Sequence, residues 1–220
     1  MPQRLHGGAM IETMLAVSLM FVSPLHACAA RVQENARLHW SMPARVPAPN
    51  RRWQIEVTPK LDDSENRTPV SLTLCDGSAS WPLFTLQRSA RVHWSADGEQ
   101  LLVINEPLSG TRQLLFFSIR GARTGAQVVP TSALEKVVTD TIAHRIGAQR
   151  HVDFYLPKLV SWRGRELVLS VGGHTSVDSN GPLESYCFGV ALDSETFQVT
   201  KVISEKMLRA RWRRSCDISP

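Results

Sequence analysis

Twice along the chain, a short strand-like run ends in tryptophan, turns at a glycine and returns as an uninterrupted apolar run. The first copy is "VHWSADGEQLLVIN", followed by "GTRQLLFFSIRGARTGAQVV". The second is "LVSWRGRELVLSVG", followed after a long loop by "SYCFGVALDSETFQVTKVI". Each places a tryptophan (Trp94, Trp162) before a tight turn (Gly98, Gly164), then two apolar strands, a polar turn (Gly121 to Gly125; Asp193 to Thr196) and a last strand. Asp97-Gly98 is a strong hairpin signal because glycine accepts the positive φ that primed turns need. Four antiparallel strands repeated at this length make a blade pattern.

The other strand-like runs are "WQIEV", "VSLTLC" and "WPLFTL", which read as the outer strands of an incomplete blade. Leu101 to Ile104 and Leu114 to Phe117 are apolar at every position. A strand with one wet face alternates, so these two predict cover on both faces.

Trp94-Ser95-Ala96-Asp97-Gly98 followed by Leu101-Leu102 resembles the repeat of TolB-type β-propellers, W-S-P-D-G and then an apolar strand. Ala96 stands where proline is usual, and the second copy keeps only Trp162, Gly164 and the strand pattern. The resemblance implies a fold and not an activity. Closed propellers need at least four blades of about 40–45 residues each. Trp53 to Trp212 would only just suffice, and residues 131–147 read as a helix instead. Ser132 and Glu135 have capping-box spacing, Leu134, Val137, Val138 and Ile142 share a face, and Gly147 is a stop. Roughly two and a half blades remain. The expected fold is mainly β: a partial or open propeller-like set of antiparallel sheets with one α-helix inserted near residues 132–146.

The N-terminus carries Arg4, then an apolar run from Met14 to Val22 that breaks at Pro24, too short for the roughly 20 residues of a membrane span. Ala27-Cys28-Ala29 fits a secretory cleavage site, so residues 1–29 read as a signal peptide and the product as periplasmic or secreted. Glu12 beside the run points to a start at Met10 or Met14, or to an atypical signal. Leu25-His26-Ala27-Cys28 loosely resembles a lipobox, which makes an outer-membrane lipoprotein the alternative. Residues 30–52, including "SMPARVPAPNRR", read as an extended Pro/Arg-rich lead-in rather than packed structure, and residues 53–220 as one β-rich domain. After cleavage no transmembrane segment is expected. Cys75, Cys187 and Cys216 would remain, and a Cys187–Cys216 bridge could pin the C-terminus, leaving one thiol over; three unpaired cysteines stay open as the alternative.

Six cations (Lys201, Lys206, Arg209, Arg211, Arg213, Arg214) face two acids (Glu205, Asp217) in the last twenty residues, so +4 of the net +5 sits there. Read as extended chain, Leu208, Ala210 and Trp212 face one way and Arg209, Arg211 and Arg213 the other: a half-buried edge strand, or a basic stripe for an anionic surface or acidic partner. Export argues against nucleic acid. The longest inter-strand loop, Gly172 to Ser185, holds His174 and Asp178 as candidate acid–base or ligand groups. Its Asp178-Ser179-Asn180-Gly181 lacks the glutamate of a calcium loop. No nucleophile elbow, zinc spacing or cofactor motif is present, and Asp62-Asp63 is a polar turn. The expected function is a non-enzymatic binding module of the bacterial envelope, with self-association open; the alternative is a hydrolase or small-ligand enzyme built on the 172–185 loop.

Overall fold

Strand β7 (Gln100–Glu106) is apolar on both sides because it lies in the middle layer of three stacked sheets. The computed structural model describes residues 36–59, 68–75, 78–108, 112–120, 122, 128–147, 150–177, 182–213 and 216. The expected leader (1–29), Asp62-Asp63, Asp178 and Arg214 lie outside them. The central sheet runs β1 (Ala36–His39), β6 (Ser89–Trp94), β7, β8 (Gln113–Ser118). Leu101, Val103 and Phe117 pack with Trp53, Ile55 and Leu72 of the N-terminal sheet. Leu102, Ile104, Leu114 and Phe116 pack the other way, with Leu134, Val138 and Ile142 of α1 (Ala133–Ile146) and with Leu169, Val171 and Val190 of the C-terminal sheet. Each such buried side chain contributes about 1.5–3 kcal/mol.

The N-terminal sheet is a meander of β2 (Ala44–Pro47), β3 (Trp53–Val57), β4 (Thr68–Leu74) and β5 (Ser80–Leu86). Alternate residues of β3 are buried, so its far face is polar: Arg45 Nε lies 2.8 Å from Glu56 and the Thr73 hydroxyl donates to Glu56 at 3.1 Å. The C-terminal sheet runs β12 (Val199–Ser204), β11 (Glu184–Asp193), β10 (Glu166–Ser176), β9 (His151–Arg163). Its outer face is covered by α2 (Glu205–Trp212), whose Leu208 packs on Val168, Ala191 and Ile203. The architecture is therefore mainly β, an open, propeller-like arrangement of antiparallel four-stranded sheets with α1 inserted between the second and third.

Several expectations change. The last strand of the first copy was placed near Val129, but residues 128–130 are irregular and Thr131 makes only an isolated bridge to Phe116. The fourth strand of that sheet is β1, paired antiparallel with β6 at Leu38↔Ala90, on the opposite edge. The lead-in of residues 30–52 is extended but packed from Ala36 onward: β2 pairs with β3 and Val46 and Ala48 are buried. The tail is a helix rather than a strand. Lys, Met, Leu, Arg and Ala all favour helix, the Ser204 hydroxyl accepts from the Met207 N–H at 3.4 Å, and Arg213 stops the helix at φ 53°. Residues 131–147 do form the inserted helix, but without the capping box: Ser132 makes no side-chain cap, Thr131 Oγ1 accepts from the Ala133 N–H, and Glu135 turns to Tyr155.

Cys187 and Cys216 form a disulfide with a Cα–Cα distance of 5.6 Å. Cys75 is disulfide-bonded too, so no thiol is left over among the described residues. The Cys187–Cys216 bridge closes a loop with a sequence separation of 29, which carries about 3.6 kcal/mol through the unfolded chain's lost entropy. The double variant Cys187→Ser/Cys216→Ser should lose about that much in urea unfolding, with hydrogen exchange accelerated first in α2. Unchanged stability and exchange would show that α2 is held by Leu208 alone.

Candidate functional site

Three of the turns singled out by the sequence, at Gly98, Gly164 and Asp193 to Thr196, meet at one end of the stack; Gly121 and residues 123–125 of the fourth lie outside the described residues. In the β6–β7 turn, the Ser95 hydroxyl donates to Asp97 Oδ1 at 2.6 Å and accepts from the Gln100 N–H at 2.9 Å, while Gly98 takes φ +68°. Burial alone would raise the Asp97 carboxyl, but Ser95, the Glu99 N–H and Arg120 outweigh it and hold it below the usual range. In the β9–β10 turn, Gly164 adopts φ +54°, the same left-handed conformation. Trp94 is buried and Trp162 half-buried; the Trp162 ring lies tilted against Phe116, ring centres 5.8 Å apart.

The β11–β12 turn completes the group. Asp193 Oδ1 accepts from the N–H groups of Glu195 and Thr196, both at 2.9 Å, and its Oδ2 lies 2.9 Å from Arg165 Nε. The Arg165 bond, the Thr196 N–H and the Glu195 N–H together hold the Asp193 carboxyl far below its usual range despite partial desolvation. This clamp fixes Phe197 at φ 57°, with its N–H on the Asp193 carbonyl at 2.8 Å. A bulky L-residue in that region costs of order 1–3 kcal/mol.

Phe197 is thereby set edge-on against Phe116, ring centres 5.0 Å apart, in a cleft of ≈ 490 Å³ between the central and C-terminal sheets. Its floor is the buried pair Gln100 and Ser194, the serine hydroxyl donating to Gln100 Oε1 at 3.2 Å. Ser118, Thr131 and exposed Val129 line one wall. Arg120 stands on the rim between Glu195 at 3.3 Å and Asp97 at 3.8 Å, and Arg165 reaches Glu195 at 3.2 Å. A cleft that sets Phe116, Phe197 and Val129 among polar groups, with an amide and a hydroxyl at its base and Arg120 and Glu195 on its rim, can seat an amphipathic side chain and fix its orientation.

The expected site residues are not brought together here. His174 lies in strand β10, not in a loop: β10 and β11 pair as far as Thr175↔Glu184, so the connection shrinks to residues 177–183. Its ring meets Phe154 edge-on at 4.9 Å with Ser185 Oγ 3.2 Å from Nδ1, at the end of β10 remote from the cleft, roughly 26 Å along the strand from Glu166. Arg209 pairs with Glu205 at 3.0 Å, Arg211 sits 4.6 Å over the Trp212 ring, and Arg213 caps α2; all three are exposed on the outer side. Phe197, Phe116 and Gln100 belong to no motif in the sequence. The one available signal for Phe197 was Asp193-Ser194-Glu195-Thr196, a turn whose first side chain can cap the following N–H groups.

Among described residues no helix is long and apolar enough to cross a membrane. No protein-family model matches the chain, and no curated protein matches it. Among solved structures, the β-propeller domain of the Trilobed protease from Pyrococcus furiosus is similar, at 9% identity and a TM-score of 0.39. The similarity covers 77% of this chain and 44% of that one, so the chain spans less than half of that domain.

Proposed function

We propose that the chain is an exported, non-enzymatic interaction module of the bacterial envelope, and that it takes an amphipathic side chain of a partner protein in the Phe116–Phe197 cleft. One observation carries the reading. Phe197 is a large aromatic residue in a left-handed conformation, in a turn held by Asp193 and Arg165, with its ring set edge-on against Phe116 of the central sheet. Packing alone would be served as well by an unstrained residue, and strain retained beside a cleft favours a binding role. Export rests on the signal-like apolar run from Met14 to Val22, and the disulfide-bonded Cys75, Cys187 and Cys216 fit an oxidising compartment. The W-S-A-D-G resemblance to TolB-type repeats supports a scaffold that presents loops.

The test is a pull-down from Gram-negative envelope extract with three baits beside the wild type: Phe197→Gly, Arg120→Gln, and the tail variant with Arg209, Arg211, Arg213 and Arg214 changed to Gln. Phe197→Gly removes the ring while relieving the backbone, and Arg120 is an exposed ion-pair partner worth at most about 1 kcal/mol, so both should fold. A discrete partner held by wild type and by the tail variant, and weakened at least tenfold by Phe197→Gly and Arg120→Gln, is the expected result. Loss only with the tail variant would move the contact to α2. No partner from any bait would remove the interaction-module reading.

A further inference from the structure

At the end of the central sheet remote from the Asp97 turn, the strand register assembles a charge cluster that the cleft does not use. Arg37 lies directly opposite Arg91 across β1 and β6, and Ser89 lies opposite both His39 and, on the other side, Glu106 of β7. Like charges directly opposite each other in an antiparallel pair are destabilising. Arg112, just before β8, adds a third guanidinium. The only carboxylate bonded to this group among described residues is Glu106, 15% exposed, which accepts from the Ser89 hydroxyl at 2.7 Å and lies 3.0 Å from Arg112 Nε. Arg37, 67% exposed, is 3.9 Å away, beyond hydrogen-bonding distance. Burial would raise the Glu106 carboxyl, yet Ser89, Arg112, Arg91 and Arg37 outweigh it, so the glutamate stays ionised.

We propose that Arg37 and Arg91 form an oxyanion site that takes a phosphate-type dianion. Glu106 is already engaged by Ser89 and Arg112, which leaves two cations facing each other from neighbouring strands. A carboxylate matches one guanidinium fork and leaves the second uncompensated. A tetrahedral dianion offers oxygens to two forks and neutralises both, removing the cross-strand repulsion that the register imposes. His39, exposed two residues along the same face of β1 and hydrogen-bonded to Ser41 at 2.9 Å, borders the site without occupying it.

Thermal unfolding of the full chain in inorganic phosphate at pH 8, against chloride of equal ionic strength, tests the site. A saturable rise of about 2–4 °C is expected on ligand linkage, abolished by Arg37→Gln and by Arg91→Gln. It should persist in Arg45→Gln, which removes an exposed arginine of the N-terminal sheet. Sedimentation with phosphatidylglycerol vesicles, with phosphatidylcholine as control, distinguishes the source. Pelleting that phosphate competes away and Arg37→Gln abolishes assigns a lipid headgroup; a phosphate-specific shift without pelleting assigns a soluble phosphate-type ligand. Equal melting of the wild type in phosphate and chloride, or an equal phosphate shift in the two arginine variants, overturns the proposal.

Discussion

Gly173→Ala is expected to lower the midpoint of thermal unfolding by about 6–12 °C, the shift that roughly 3 kcal/mol produces in a chain of this size. A Cβ at this position would stand 2.1 Å from the Phe154 carbonyl oxygen and 2.8 Å from the Tyr186 hydroxyl. The carbonyl belongs to the backbone of β9, which is tied to β10 along its length, so the strand cannot yield without breaking its ladder. Gly164→Ala is the matched control: φ is +54° there but nothing lies within 4 Å of the added methyl, so only the backbone cost of about 1 kcal/mol applies. Scanning calorimetry of the two variants should separate them clearly. If they melt within two degrees of each other, the close approach at Gly173 does not exist in solution.

That glycine also shows where sequence reading stops. Gly172-Gly173 opens a stretch rich in turn residues, and by composition it is loop. In the fold both glycines are strand, and each is small because something occupies the place of its side chain: the Cys216 Cβ would be 2.3 Å from a Cβ on Gly172. Nothing local encodes a neighbour 44 residues away. The same limit hid β1, whose four residues find their partner only after β2–β5 have been laid down. By contrast the double-sided apolar runs of β7 and β8 were readable, because burial on both faces erases alternation wherever the partners come from. The hairpin glycines were readable for a similar reason, since a positive φ is a local demand. The tail misled because Leu208, Ala210 and Trp212 alternate with arginines, while the stronger signal lay just before them: Ser204 as cap and Glu205 four residues ahead of Arg209. Of the cleft, the rim turns could be read from sequence. The aromatic pair could not, because Phe116 and Phe197 meet only once the sheets are stacked.

In an alkaline titration followed at 295 nm, tyrosinate is expected to appear in a single step that coincides with the loss of circular dichroism. The chain has two tyrosines, and both are held neutral by the fold. Burial raises Tyr155 most, and Glu135 adds to it: the phenol donates to Glu135 Oε1 at 2.6 Å, and the carboxylate's charge opposes a second anion beside it. Burial raises Tyr186, whose hydroxyl donates to the Phe154 carbonyl at 3.3 Å. In the unfolded chain both ionise near the ordinary value of about 10. The folded values lie above the unfolded ones, so the native state binds more protons between them. Stability is therefore complete below pH 10 and falls as pH rises, by about 1.4 kcal/mol per pH unit for Tyr155 and less for the more open Tyr186. By pH 11.5 the loss is roughly 2–3 kcal/mol, enough to bring a marginally stable domain near its transition. Tyr155→Phe should halve the amplitude of the step and move it to higher pH, since the larger of the two linked protons is gone. A phenol that titrates near pH 10 while the circular dichroism is still native would mean that the Glu135–Tyr155 contact is open to water, and with it the seam between α1 and β9.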